Sequence, residues 1–194
     1  MRNAEVKRAT AETKIAVSLE LDGTGKTEIS TGIGFFDHML HLFASHGRFD
    51  LKVTCDGDIE VDGHHSVEDI GIALGQALKE ALGDKSGISR YGTFYLPMDE
   101  ALAFVSLDIS GRPFLVYDGG EMTPMIGGYD TELTEEFLRA LAVHGGLTLH
   151  ARVLYGKNSH HKVEAVFKAL GHALRIAVSK DPRMEGVPST KGVL

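Results

Sequence analysis

The sequence has a single cysteine, Cys55, no tryptophan and no apolar run approaching the length of a membrane span. One cysteine excludes an internal disulfide framework, and the simplest expectation is a reducing, cytoplasmic compartment. The opening residues, MRNAEVKRATAETKI, contain no apolar segment of signal-peptide length. Basic charge is also in short supply. Twenty Lys and Arg against 27 Asp and Glu leave a formal net charge of -7. General nucleic-acid binding needs a dense positive face, and this composition argues against one. A local basic pocket for a small anion remains open. With 43% hydrophobic and 24% charged residues, the 194-residue chain can build one domain with a real core.

Histidine, by contrast, is plentiful. There are 10, and most of them fall in clusters: His38, His41 and His46; His64 and His65; His160 and His161. Two of the clusters sit in the same setting. HHSVED from His64 matches HHKVEA from His160 at an offset of 96 residues, and ALGQAL matches ALGHAL at the same offset. At an offset of 98, FASHGRFDLKV from Phe43 matches LAVHGGLTLHA from Leu141. Two halves with the same segment order indicate a duplicated unit related by a pseudo-twofold axis.

KIAVSLEL alternates like a strand, and DGTG then turns the chain. FFDHMLHLFASHG has helical spacing and stops at Gly47. FDLKVTC reads as a strand. SVEDIGIALGQALKEALG reads as a helix with Ile70, Leu74, Ala77, Leu78 and Leu82 on one side and Gly83 as its stop. The second half gives strands RYGTFYLPM, ALAFVSLDI and PFLVYDG. A helix follows from about Thr134 to His144, then the strand LTLHARVLY and a helix from about His160 to Val178. The expected fold is α+β: two pseudo-twofold-related halves, each a mostly antiparallel sheet covered by helices on one face. The expected organisation is a single domain of two repeats, about 1–87 and 88–180, with a loop-like tail at 181–194. DGTGKT at 22–27 imitates the end of a phosphate-binding loop. However, Glu20 stands where that loop needs glycine, and no helix starts at Thr27, so a hairpin turn is expected.

Each helical residue turns about 100°. His64 and Glu68 therefore share a face, and His65 can also approach Glu68. His64 and His65 diverge, which suits adjacent histidines to two different ions. Imidazole with carboxylate fits Mn, Fe, Co, Ni or Zn. The doubled HHxVE motif marks His64, His65, Glu68, His160, His161 and Glu164 as metal ligands. His38 and its repeat partner Glu136 are further candidates. His41, His46, His144, His150 and His172 lack such pairing and are read as structural. Arg90, Arg112, Lys168, Ser189 and Lys191 are candidates for holding an anion. Lys168 stands one turn past Glu164.

GFFDHMLHLFASHG, DGHHSVEDIGIALG, MDEALAFVSLDISGRP, GKNSHHKVEAVFKAL and VPSTKGVL together closely resemble the imidazoleglycerol-phosphate dehydratases, enzymes of histidine biosynthesis. The match runs in order over nearly the whole chain. The resemblance implies a metal-dependent hydro-lyase, a lyase that converts imidazoleglycerol phosphate into imidazole-acetol phosphate through a metal-held imidazolate. It implies two metal ions per site, usually Mn2+, and a homo-oligomer of 24 subunits with active sites at subunit contacts. It carries the metal ligands onto His38, His64, His65, Glu68, Glu136, His160, His161 and Glu164. At Glu136 the family often has histidine. Substrate contacts fall on Glu12, Arg90, Arg112, Lys168, Ser189 and Lys191, the tail being part of the substrate site. At Leu42 a family contact, often glutamine, is missing. Glu12 is the choice for general base, with Asp99 in reserve. The sequence closes on KGVL, and a monofunctional enzyme is expected.

Two other readings use the same residues. A binuclear metallohydrolase would need one close metal couple, which diverging histidine pairs do not favour. A non-catalytic, metal-stapled assembly protein would have no need of Arg90, Arg112, Lys168 and Lys191.

Overall fold

The computed structural model describes residues 2–192 and 194. The first half contains β1 (Asn3–Ala9), β2 (Thr13–Glu20), β3 (Thr27–Ser30), α1 (Gly34–Gly47), β4 (Asp50–Gly57) and α2 (His64–Leu82). The second contains β5 (Tyr91–Met98), β6 (Ala101–Asp108), β7 (Phe114–Asp118), the two-residue strands β8 (Met125–Ile126) and β9 (Tyr129–Asp130), α3 (Leu133–Gly145), β10 (Thr148–Tyr155) and α4 (Ser159–Val178). The two four-stranded sheets have matching orders, β1-β2-β4-β3 and β5-β6-β10-β7. Each has two antiparallel pairs and one parallel edge pair, β3 with β4 and β7 with β10. This is the duplicated α+β architecture expected from the doubled sequence.

Alternation sets the sheet faces. Along β2, Thr13, Ile15, Val17 and Leu19 point inward and are buried. In the helices the buried positions recur every three or four residues, as in Phe36, Met39, Leu40 and Phe43 of α1. Helix α2 lies on β1 and β2, and α4 lies on β5 and β6. The helices then pair across the halves, α1 against α4 and α2 against α3. The core is thus a helical double layer between two sheets.

The repeated ALG tripeptide explains how closely the helices approach. A Cβ at Gly75 would stand 2.8 Å from the Gly145 nitrogen and 3.0 Å from the Leu141 carbonyl oxygen. At Gly171 it would stand 2.4 Å from the Phe43 carbonyl oxygen. Both glycines let one helix backbone rest on the next. That contact fixes the height of His64 on α2 relative to Glu136 on α3, and of His160 on α4 relative to His38 on α1.

The DGTGKT turn binds an anion of its own. The backbone N–H groups of Thr24, Gly25 and Lys26 donate to one Asp50 carboxylate oxygen at 2.7, 3.0 and 2.9 Å. These bonds hold the Asp50 carboxyl below its usual range. The cradle is filled from within the chain. Among the described residues, no helix is long and apolar enough to cross a membrane.

Candidate metal centre

The doubled motifs begin helices α2 and α4 at the same end of the molecule as the β1–β2 and β5–β6 hairpin turns. Asn158 caps α4, its side-chain oxygen accepting from the N–H groups of His160 and His161 at 2.9 and 3.3 Å. The loop before α2 does similar work through Asp62, which accepts from the His64 N–H at 2.7 Å. Both histidine pairs are therefore anchored at a helix start. Their rings diverge as the 100° step requires, with centroids 6.2 Å apart in each pair and near-perpendicular planes.

The tightest cluster joins α1 and α4. His38 Nε2 lies 3.4 Å and His160 Nε2 3.0 Å from the same Glu164 carboxylate oxygen. One donor atom from each of the three residues falls within 4.8 Å of the others. Lys168 Nζ sits 2.5 Å from the second Glu164 oxygen. Burial pushes the Glu164 carboxyl up, but Lys168, His160 and His38 outweigh it, and the net shift is downward. Two imidazole nitrogens and an ionised carboxylate this close fit a divalent transition ion.

A second group joins α2 and α3. His64 Nε2 lies 3.6 Å from Glu68 Oε2, one turn along. His64 and Glu136 line the same cavity of about 500 Å³, whose walls also carry Asp62, Asp130 and Glu132.

The outward histidines, His65 and His161, are held differently from the inward ones. His65 does not turn to Glu68, as helical spacing alone allowed. Its Nδ1 bonds Asp58 at 3.0 Å, which leaves Nε2 3.7 Å from Glu12. In the same way, His161 Nδ1 bonds Glu100 at 2.7 Å, and its Nε2 lies 3.7 Å from Asp99. The carboxylates raise the pKa of both rings, Asp58 acting on His65 and Glu100 on His161. Glu100 is lowered to about 2, first by the Asn158 N–H and then by His161 and the Lys157 N–H. Sequence reasoning missed Asp58 and Glu100. Neither belongs to the motif, and they come from unrelated places, the loop before α2 and the β5–β6 turn. Each orients a ring so that Nε2 is the outward donor, as carboxylate partners of metal-binding histidines do.

The anion-binding candidates lie elsewhere. Arg90 makes a paired contact with Asp108 at 2.7 and 3.1 Å and donates to the Pro188 carbonyl at 2.9 Å, so it holds the tail next to Ser189. Ser189 Oγ accepts from the Lys191 N–H at 3.2 Å. Arg112 is exposed in the turn after β6, its backbone bonded to Ser110 and Thr148. All four are at the Tyr91–Asp108 end of the β5–β6 pair, whereas Asp99 and Glu100 are at the Met98–Ala101 end. At about 3.3 Å per residue, the length of β5 separates the two groups by about 23 Å. Lys168 alone of the anion set stands with the metal group, within 3.6 Å of the Met98 sulfur.

Three of the remaining histidines, His41, His46 and His172, have internal partners. His41 Nδ1 is 2.7 Å from the Thr27 hydroxyl. His46 Nδ1 and His172 Nε2 lie 3.0 Å apart between α1 and α4, with Phe94 stacked on the His172 ring. Burial lowers the pKa of both.

Comparison with known proteins gives one consistent result. The family model for imidazoleglycerol-phosphate dehydratase matches residues 31–174. An imidazoleglycerol-phosphate dehydratase from Clostridium botulinum (strain Kyoto / Type A2) is 62% identical over 191 residues, 98% of this chain and 97% of that protein. The crystal structure of the Staphylococcus aureus imidazoleglycerol-phosphate dehydratase has a TM-score of 0.84 at 42% identity, covering 92% of this chain and 99% of that one. The Pyrococcus furiosus enzyme also has a TM-score of 0.84, at 41% identity, covering 97% of this chain and 100% of that one.

Proposed function

Since the chain belongs to the imidazoleglycerol-phosphate dehydratase family, and so dehydrates imidazoleglycerol phosphate to imidazole-acetol phosphate in histidine biosynthesis, we propose that it works with two divalent ions, manganese by preference, at active sites shared between subunits. The observation that carries this reading is the His38–His160–Glu164 cluster, whose donors already converge. One ion is assigned to that cluster and the other to His64, Glu68 and Glu136, with the outward His65 and His161 completing the sites of neighbouring copies. Divalent ions held there would supply orientation of the imidazole ring and stabilisation of negative charge on it.

The chain's own residues do the rest. The substrate loses hydroxide from the carbon next to the ring and a proton from the middle carbon of the glycerol chain. Glu12, beside the outward nitrogen of His65, takes that proton. The enol left behind becomes the ketone when its hydroxyl proton leaves and the ring-side carbon gains one. Arg90, Arg112, Ser189 and Lys191 are assigned to the phosphate, and Lys168 to the junction of phosphate and metal. A separation of about 23 Å along β5 far exceeds the length of a five-membered ring with a three-carbon phosphate chain. That gap supports pairing the metal group of one copy with the phosphate group of another, within the 24-subunit assembly that the resemblance implies. Cytoplasmic residence belongs to the same proposal.

The direct test is turnover of imidazoleglycerol phosphate by protein stripped of metal and reloaded. Activity should vanish with the metal and return with manganese; full turnover by protein verified as metal-free would refute the metal-dependent mechanism.

Arg112→Ala tests the phosphate assignment. Its guanidinium is free of the Glu164 network that Lys168 serves, so the metal group stays intact. Phosphate binding precedes the chemical step, so KM should rise by about ten- to a hundredfold, the worth of a charged hydrogen bond, with kcat little changed. A fall in kcat at constant KM would remove Arg112 from the phosphate site.

A further inference from the structure

The two donor groups differ in ways that lie outside the doubled motif. Glu164 is nearly buried, its side chain 7% exposed, and Lys168 balances its charge from 2.5 Å away. The corresponding residue of the first half, 96 positions earlier, is Ile72. Glu68 therefore has no lysine one turn along the helix, and its side chain is 45% exposed. The place that His38 holds on α1 is held on α3 by Glu136, across an acidic cavity from His64. One group thus offers two imidazoles and a charge-balanced carboxylate, already converged. The other offers one imidazole and two carboxylates, among further acidic side chains.

We propose that these are chemically unequal cation sites. The His38–His160–Glu164 site favours borderline ions such as zinc, cobalt or nickel. The His64–Glu68–Glu136 site favours a harder ion such as manganese, and Glu136 sets the difference. Imidazole suits the borderline ions and carboxylate the hard ones. The uncompensated negative charge around Glu136 retains a dication even where nitrogen donors are few. One outward histidine added to each site by a neighbouring copy would contribute equally and leave the contrast in place. The proposal rests on the reading that both groups hold divalent ions, and it deepens that reading by giving each its own ion class.

The test uses full-length, manganese-loaded protein challenged with zinc, the released manganese being counted by electron paramagnetic resonance. Wild-type protein should release its manganese in two equal phases, the second needing about tenfold or more zinc than the first. Glu136→His should merge the phases. Glu136→Gln, a near-isosteric change, should weaken retention of the second phase while leaving the first in place. Single-phase release from wild-type protein would overturn the proposal, as would two unaltered phases in Glu136→His. The underlying reading fails by a different sign. If His160→Ala binds as much manganese as wild type, or wild type binds none, the clusters are not metal sites and the proposal goes with them.

Discussion

Glu12→Gln should leave metal content, fold and particle size unchanged and cut turnover by about two orders of magnitude or more, the usual share of a general acid or base. The substitution keeps size and hydrogen-bonding capacity and removes basicity. The backbone contacts that place the residue are independent of its charge. The Glu12 N–H donates to the Thr10 hydroxyl at 3.1 Å, and its carbonyl accepts from the Asp58 N–H at 3.2 Å. The next residue, Thr13, donates its hydroxyl to Asp69 at 2.6 Å, and Arg8 pairs with the same Asp69 at 2.9 Å. The hairpin turn is thus tied to α2 whatever the state of Glu12, and the carboxylate is left beside the outward nitrogen of His65. Asp99 holds the matching position beside His161, but it is shorter and more exposed, 75% against 52%. Asp99→Asn should therefore have the smaller effect. Steady-state kinetics on both variants, with metal analysis of each, settles the order. Near-wild-type turnover in Glu12→Gln with a collapse in Asp99→Asn would transfer the role to Asp99.

How far the sequence disclosed this structure depends on whether a feature is local. The motif helices, their histidines and the stop at Gly83 are written in short-range periodicity, and the two offsets carry the duplication in the sequence itself. Strand β1 is hard to read from NAEVKRA because its inward positions are Ala4, Val6 and Arg8, of which only Val6 is buried and large enough to mark a core face. The parallel pairing of β3 with β4 joins segments on either side of α1, and no local pattern specifies such a register. At the site the same rule holds. HHxVE names donor atoms, and the 98-residue offset leads from His38 to Glu136. The direction of each outward ring is decided by Asp58 and Glu100, which lie in separate loops. The pairing of Glu164 with both His38 and Lys168 needs α1 and α4 to meet, which Gly171 permits and periodicity cannot announce.

Complete removal of metal should shrink the native particle to a smaller oligomer as well as abolish activity, and manganese should restore both. Each motif helix presents one ring to its own cluster and one away from it, and the outward rings are fixed by Asp58 and Glu100 with Nε2 turned outward, 3.7 Å from Glu12 in one and from Asp99 in the other. His65 and His161 side chains are 34% and 25% exposed in the single chain. Two outward donors per chain, held rigidly and unused by the inward clusters, are the geometry expected of ligands given to a neighbour. An ion that takes donors from two copies binds the assembled state and not its separated parts, so its binding free energy adds to subunit association. The separation of metal and phosphate groups along β5 points the same way, because one chain alone does not bring them together. Light scattering before and after chelation, with elemental analysis to confirm that the metal is gone, reads the outcome. Unchanged particle mass in metal-free protein would mean that the ions sit within one subunit. The inward cluster of His38, His160 and Glu164 would then stand as assigned, and His65 and His161 would need another role, beginning with the carboxylates Glu12 and Asp99 that already face them.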